Sequence, residues 1–322
     1  MSGSDNGPLP LIEASKEYLK SHNDVFFFCV GKKEELSALE GIKNVEIVDA
    51  REVMKMDEDP FHAIKNKESS MIKAFNVLKD NNCDAIISCG GTGAYLTSAT
   101  LILGRISNVR RPCLVTPFPT KIKGKYTVIL DVGANNKNTS EELVQFAKMG
   151  SIYYKVVFNS SKADLYLLSN GSEDHKGTPE IVETNKLLRE INFEGFKGNM
   201  EARDVLSGEA DVVVCDGFSG NVFLKTSEGV FKIVGDLLKS GFKSSLKTKI
   251  GYLLSKSVLK NFKDTFDYKS VGGAMLLGVK GVVVKAHGNS DVKSVLGAYN
   301  VAYKLVSNQI NKRIENEITK EK

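Results

Sequence analysis

"DVVVCDGFSGN" occupies residues 211–221 and changes character halfway along. Val212, Val213 and Val214 form a β-branched run of the kind that suits a strand covered on both faces. Cys215 and Asp216 then lead into Gly217, Phe218, Ser219, Gly220 and Asn221, and "VFLKTSEG" (222–229) continues as a helical pattern. The unit is strand, small-residue turn, helix. "GFSGN" nearly spells the G-x-S-x-G elbow of serine hydrolases, but its fifth position is Asn221 and no His/Asp order completes a triad. Cys215 and Ser219 are therefore weak nucleophile candidates. In the loop reading, Gly217 and Gly220 permit a sharp turn, Asn221 caps the next helix and Asp216 faces a cleft.

The same unit recurs. "VFFFCVG" (25–31), "DAIISCGGTG" (84–93), "YTVILDVGAN" (126–135), "ADLYLLSNG" (163–171) and "GVVVKAHGNS" (281–290) are further apolar runs ending in glycine turns. "RPCLVTP" (111–117) lacks the glycine, and "VEIVDA" (45–50) is a weaker run. Helical patterns separate them at 69–82, at 139–157 and at 178–191. The second opens with Thr139, Ser140, Glu141 and Glu142, a cap with an acidic first turn, and the third with Pro179 at its first position. Val295, Ala298, Ala302, Leu305, Ile310, Ile314 and Ile318 fall on one stripe of a terminal helix. This alternation predicts an α/β fold: a doubly wound, mainly parallel sheet between two helical layers, as one domain over 1–322. Ligands bind such sheets at the carboxyl ends of the strands, where these turns fall.

Composition narrows the class. The 322 residues are 42% hydrophobic and 26% charged, ordinary for a globular protein. No apolar stretch approaches the roughly 20 residues of a membrane span, and "MSGSDNGP" has no signal-peptide pattern. Five cysteines without a C-x-x-C pair read as reduced thiols in a cytoplasmic protein, and no metal site is expected. The net charge of +5 is uneven: residues 237–263 carry seven lysines and no acid, leaving 37 basic and 39 acidic residues elsewhere. A near-neutral body with one basic patch argues against nucleic-acid binding.

Several turns could carry chemistry. In "CGGTGAYLTSATLIL" (89–103), Gly90, Gly91, Thr92 and Gly93 precede a helix, so their amides suit an oxyanion or phosphate, with simple tight turning as the alternative. Their spacing matches neither the dinucleotide nor the Walker pattern, and no cofactor is expected. Asn135, after Asp131, is a ligand for a carbonyl or phosphate oxygen, or else part of an Asx turn. Glu173, Asp174, His175 and Lys176 read first as a charged surface turn, with Lys176 the better anion ligand. Lys285, His287, Gly288, Asn289 and Ser290 again follow a strand, and His287 is either a ligand or general acid or a hydrogen-bonded structural residue.

"SCGGTGA" (88–94), "LDVGAN" (130–135), "LVQFAKMGS" (143–151), "DGFSGNVFLKTSEG" (216–229), "GGAMLLG" (272–278) and "KAHGNS" (285–290) occur in this order. Together they resemble the PlsX-type phosphate acyltransferases of bacterial phospholipid synthesis, from "GSDNGP" (3–8) to the final helix. The resemblance implies transfer of a fatty acyl group from acyl-acyl carrier protein to inorganic phosphate, giving acyl phosphate. It also implies an α/β/α sandwich related to the isocitrate-dehydrogenase-like and phosphate acetyltransferase folds, and a homodimer. Two departures stand out. The family usually has an apolar strand ahead of the block at 3–8, so a first strand is expected to be absent; and Gly91 stands where the family has asparagine.

Phosphate is already an anionic nucleophile, so this chemistry needs position and charge rather than an activated serine, and no metal. On that basis the catalytic candidates are His287, Asn221, Asp216, Lys176 and Asn135. Asp5, Gly90, Gly91, Thr92, Gly93, Gly217, Gly220, Lys225, Lys285, Gly288 and Asn289 are the substrate-binding candidates, with the strand-end loops expected to converge. An acyl-CoA donor, as in phosphate acetyltransferases, and an inactive scaffold of the same fold are the alternatives. The lysine-rich segment has Phe242, Lys243, Leu246, Lys247, Ile250, Leu253 and Leu254 at helical spacing, which suits the anionic inner face of the cell membrane. That fits a family whose product passes to a membrane-bound glycerol-phosphate acyltransferase; packing at a dimer interface is the other explanation. Acidic acyl carrier protein would dock on the same patch, or on Arg105, Arg110 and Arg111 with Lys121, Lys123 and Lys125.

Overall fold

The computed structural model describes residues 1, 3–54, 64–80, 83–265 and 272–320. The chain forms two compact units, Met1–Thr116 with Lys148–Ser161 and Lys269–Lys322, and Pro117–Ala147 with Lys162–Tyr268. Ten strands are described: β1 (Phe27–Gly31), β2 (Val45–Asp49), β3 (Ala85–Ser88), β4 (Cys113–Pro119), β5 (Tyr126–Leu130), β6 (Leu165–Ser169), β7 (Phe196–Glu201), β8 (Val212–Val214), β9 (Ala274–Leu277) and β10 (Val282–Lys285). The helices are α1 (Leu9–Leu19), α2 (Ser70–Lys79), α3 (Thr92–Ser98), α4 (Ser140–Val157), α5 (Pro179–Glu190), α6 (Gly217–Lys243), α7 (Leu246–Thr265), α8 (Val292–Ser307) and α9 (Ile310–Thr319).

In the first unit β1 and β2 make a parallel pair, and a separate set runs β3-β10-β9-β4. β3 and β10 are parallel with Ala85 beside Val282 and Ser88 beside Lys285, whereas β9 is antiparallel to both β10 and β4. In the second unit β5-β8-β6-β7 are all parallel. The fold class is the expected one, α/β with mainly parallel strands and flanking helices. Val128 to Leu130, Val212 to Val214 and Val282 to Val284 are all buried, which accounts for apolar runs without alternation.

Helix signals in the sequence have physical counterparts. Ser69 accepts from the Ile72 amide (3.3 Å), and Thr178 from the Ile181 amide (3.4 Å) ahead of Pro179. Thr139 and Glu142 form a reciprocal capping box before α4. α2 ends at Lys79, short of the expected 82; residues 81–82 lie outside those described. The terminal stripe is interrupted at Gln309 (φ 51°), so two helices share it, yet all seven of its apolar residues are buried. Two strands had no counterpart in the expected runs. β7, "FKGNME", is polar at half its positions, and β9 lies inside "GGAMLLG", only four apolar-rich residues between glycines.

Candidate active site

In the first unit, parallel pairing brings the carboxyl ends of β3 and β10 side by side, so the loops at 89–93 and 286–291 are neighbours. Ala286 N–H donates to Ser88 O (2.9 Å) and fastens them. The loop at 3–7 closes over the second: Asp5 N–H donates to Gly288 O (2.9 Å) and Asn6 Nδ2 to Ser290 O (3.2 Å). Asp5 thus contributes its backbone here. Asn6, which sequence reasoning passed over, contributes its side chain, and the Asn-Gly turn of "SDNGP" was the available signal.

Lys285 is buried at the end of β10, where its ammonium donates to Ala286 O. Its charge reaches Cys89, whose thiol is pushed up by burial and drawn back by Lys285, the chain amino group and a hydrogen bond with Ser290. His287 and Asn289 are exposed, with Gly288 buried between them. Asn289 N–H donates to His287 Nδ1 at 3.4 Å, a long bond that leaves the proton of the neutral ring on Nε2. Ser290 N–H and Oγ both donate to His287 O (3.0 and 2.7 Å), fixing the backbone beneath the ring. Asp291 then caps α8 through Ser294 N–H and Oγ, and those bonds hold its carboxyl below the usual range. Gly90 N–H is committed to Ser88 Oγ (3.1 Å), while Gly91 is the cap residue of α3 and Thr92 and Gly93 open its first turn. One of the three glycine amides is therefore used internally.

In the second unit β5 and β8 are parallel neighbours, and their ends are tied by Cys215 N–H to Leu130 O (2.7 Å) and Asp131 N–H to Cys215 O (3.0 Å). Asp131 is fully buried and organises the following loop. Its carboxylate accepts from Gly133 (3.1 Å), Ala134 (2.9 Å) and Asn135 (2.9 Å) amides and from Asn135 Nδ2 (2.8 Å). Asn135 is thus a member of an Asx-type turn.

The turn at 215–221 differs from the expectation. α6 begins at Gly217, so the cap is Asp216, whose Oδ1 accepts from Ser219 N–H (2.9 Å) and Oδ2 from Ser219 Oγ (2.7 Å). Asn221 lies in the second turn and does not cap. Gly217 and Gly220 are helical, not turn-formers, and they answer a demand for space. A Cβ on Gly217 would fall 1.8 Å from Asn135 O, and one on Gly220 would fall 1.9 Å from Asp131 O. Gly220 N–H donates to Asp216 O (2.9 Å), which removes it as an anion donor. Asn221 instead rests its exposed side chain against Gly133 (φ 125°), where a Cβ would come within 3.3 Å of Asn221 Cγ.

After β6, Asn199 Nδ2 holds the turn at 170–177 by donating to Glu173 O (2.8 Å) and Lys176 O (3.2 Å). Asp174 pairs with Arg189 (2.6 Å), and His175 is exposed, as a charged surface turn requires. Lys176 is half-buried and makes no ion pair among the described residues. Lys225 is bonded to Glu228 (2.9 Å) and stands roughly 13 Å along α6 from Asp216, away from the strand ends.

The basic segment is a helical hairpin, α6 to α7, broken at Ser244 and Ser245. The break puts Phe242 on α6, edge-on to Tyr252 (5.6 Å), and the remaining stripe on α7. Leu246, Ile250, Leu253 and Leu254 are largely exposed (Leu254 82%), beside exposed Lys243 and Lys247. No helix among the described residues is long and apolar enough to cross a membrane.

A family model described as "Fatty acid synthesis protein" matches residues 1–313. A phosphate acyltransferase of Clostridium perfringens is 42% identical over 324 residues, covering 99% of this chain and 95% of that one. A phosphate acyltransferase of Dictyoglomus turgidum is 42% identical over 318 residues, covering 97% and 94%. Among solved structures, a phosphotransacetylase from Streptococcus pyogenes superposes with a TM-score of 0.59 at 16% identity, covering 93% and 91%, which speaks for the fold alone. With these two relatives matched over almost their whole length, the chain belongs to the phosphate acyltransferase family of fatty acid synthesis proteins and is an acyltransferase.

Proposed function

We propose that the protein transfers a fatty acyl group from acyl-acyl carrier protein to inorganic phosphate, and that the acyl phosphate formed feeds phospholipid synthesis. The observation that carries this is the paired strand ends of β3 and β10, with Lys285 buried beneath exposed His287 and Asn289. A fixed cation and a helix start favour a dianion without any nucleophilic side chain. A phosphate oxygen attacks the thioester carbonyl carbon; a C–O bond forms, the C–S bond breaks, and the electron pair leaves on sulfur. His287 Nε2–H stands as proton donor to that sulfur, and the open amides at 91–93 as partners for phosphate. Asn135, Lys176, Asp216 and Asn221 remain the second unit's candidate contacts, and the whole chain acts as one catalytic domain.

The deciding assay is incubation with acyl-acyl carrier protein and phosphate, with the product trapped by hydroxylamine. Acyl-CoA is run in parallel as the second candidate donor. Hydroxamate formation only from acyl-CoA selects the second; none from either donor removes both.

We also propose a cytoplasmic homodimer that touches the inner face of the membrane through the α6–α7 hairpin. Exposed Leu246, Ile250, Leu253 and Leu254 supply the apolar side, and Lys243, Lys247 and Lys249 the attraction to anionic lipid. Flotation with anionic vesicles at low salt tests it, and failure to float ends the membrane part. The acidic carrier protein uses the same lysines or the Arg105, Arg110, Arg111 group.

A further inference from the structure

Asn199 lies on β7, the strand that ends the second unit's set, yet it is only 6% exposed. Both ends of its carboxamide are used. Nδ2 donates to Glu173 O (2.8 Å) and Lys176 O (3.2 Å), and Oδ1 accepts from Asn185 Nδ2 (3.0 Å). The turn offers it only carbonyl oxygens, which fixes the NH₂ end of the amide on that side. Asn185, itself 1% exposed, is held in the same way: its Oδ1 accepts from Arg189 Nε (2.9 Å), and its Nδ2 also reaches Asp174 Oδ1 (3.3 Å). Arg189 closes the circuit by donating to Asp174 Oδ1 (2.6 Å). Two side-chain amides and a guanidinium thus clamp one turn, 170–177.

Stability alone does not account for this. Buried amides cost free energy unless every donor and acceptor is matched, so an apolar pair would close a plain surface turn at less cost. What a matched network adds is a single geometry. The residue that benefits is Lys176. Its stem lies against Gly171, where a Cβ would fall 2.8 Å from Lys176 Cγ, and its ammonium makes no hydrogen bond or ion pair among the described residues. β6 is parallel to both β8 and β7, and β8 to β5. The turn that follows β6 therefore leaves the same edge of the sheet as the loops at Asp131 and Asp216.

We infer that Asn199 is a positioning residue for acyl transfer: with Asn185 behind it, it fixes the turn so that the Lys176 ammonium meets a phosphate group. The inference rests on the reading of Lys176 as a substrate contact. That group is either inorganic phosphate or the phosphodiester of the acyl donor's pantetheine arm, and varying the two substrates separately tells them apart.

The test is steady-state kinetics of the full chain, with inorganic phosphate and acyl-acyl carrier protein as the varied substrates. Asn199→Asp keeps the shape and removes both donors; it should raise one KM about tenfold while kcat changes less. In a Lys176→Met background the same substitution should change that KM less than about twofold, because the group it serves is gone. Thr127→Val is the control for general loosening. Thr127, near the amino end of β5, donates to Val205 O and Ala210 O, so its loss should lower the melting temperature and leave both KM values alone. Arg189→Gln, at the exposed end of the network, should give the same pattern more weakly, and it carries the test if Asn199→Asp does not fold. Titration calorimetry with phosphate and with acyl-acyl carrier protein reads the same differences as Kd, without turnover. Absence of acyl phosphate formation in the parent would thus end the proposed reaction, while the Kd values still decide this inference. It is overturned if the Asn199 and Arg189 variants keep both parameters, if their effects multiply in full with that of Lys176→Met, or if Lys176→Met itself changes neither.

Discussion

Gly220→Ala on α6 adds a single methyl group where there is no space for it. The new Cβ would stand 1.9 Å from Asp131 O and 2.8 Å from Cys215 Sγ, against an ordinary contact of 3.4 Å or more. Separation by about 1.5 Å (3.4 less 1.9) has to come from the helix or from the loop. The loop resists, because Asp131 N–H is bonded to Cys215 O and its carboxylate holds three successive amides and Asn135 Nδ2. Overpacking of this kind costs about 3 kcal/mol, at the upper end for core insertions. Alanine's better helix propensity returns about 1 kcal/mol. The net, about 2 kcal/mol, lowers the melting temperature by about 4–8 °C. Gly229→Ala is the control on the same helix: no atom lies within 4 Å of its Cβ position. There only the propensity gain of about 1 kcal/mol operates, and melting rises by about 2–4 °C. Acyl phosphate formation should fall in the first variant, since Asn221 and Asn135 ride on the displaced elements, and stay unchanged in the second. Calorimetry that finds both variants shifted in the same direction, or Gly220→Ala as stable as the parent, refutes the close-approach account.

Ser219→Ala should keep more than half of the turnover, because the Ser219 hydroxyl only completes the Asp216 cap; Asp216→Ala should cost about 1 kcal/mol in a denaturant titration. His287→Ala should lower hydroxamate yield about 10²-fold with an unchanged circular dichroism spectrum, and parental turnover would take His287 out of the mechanism. Lys285→Met should raise the KM for phosphate tenfold or more while kcat changes less, as expected when a charge-assisted bond worth about 1.5–3 kcal/mol is lost. Stability should also fall at high pH. Burial pushes the Cys29 thiol up to about 12 and Cys83 to about 11, above their value in the unfolded chain. The folded state therefore keeps protons that the unfolded state releases, and the contribution, complete below about pH 9, is lost as pH rises toward those values. Melting curves from pH 8 to 11 should show this, with a shallower decline in Cys83→Ala.

The runs that made the fold legible were those buried on both faces. Val212 to Val214 and Val282 to Val284 carry no polar position to confuse the period, and they are central strands of their sets. β7 lay beyond this reasoning because it ends its set, where polar Lys197 and Glu201 are tolerated and Asn199 is used to hold the turn at 170–177. β9 is too short for any period; its antiparallel pairing with β10 is a hairpin across the glycine-flanked residues 278–281, whereas its pairing with β4 is long-range and no local pattern encodes it.

The site was legible as a set of loops but not as a division of labour within them. Glycine illustrates the limit. Gly217 and Gly220 look in sequence like turn-formers, because turns are the commonest local use of glycine, yet both sit in a helix with the opposite loop's carbonyl oxygens in the place of a side chain. The partner atoms, Asn135 O and Asp131 O, come from more than eighty residues away, so only the folded chain reveals the constraint. The two lysines differ in the same way. Lys225 and Lys285 each belong to a glycine-bearing block, but one is a solvated partner of Glu228 and the other a buried cation at a strand end. An ammonium out of water costs several kcal/mol unless nearby groups or a bound anion compensate it. That cost explains why Lys285, rather than the seven lysines of the basic hairpin, is the cation to test first against phosphate.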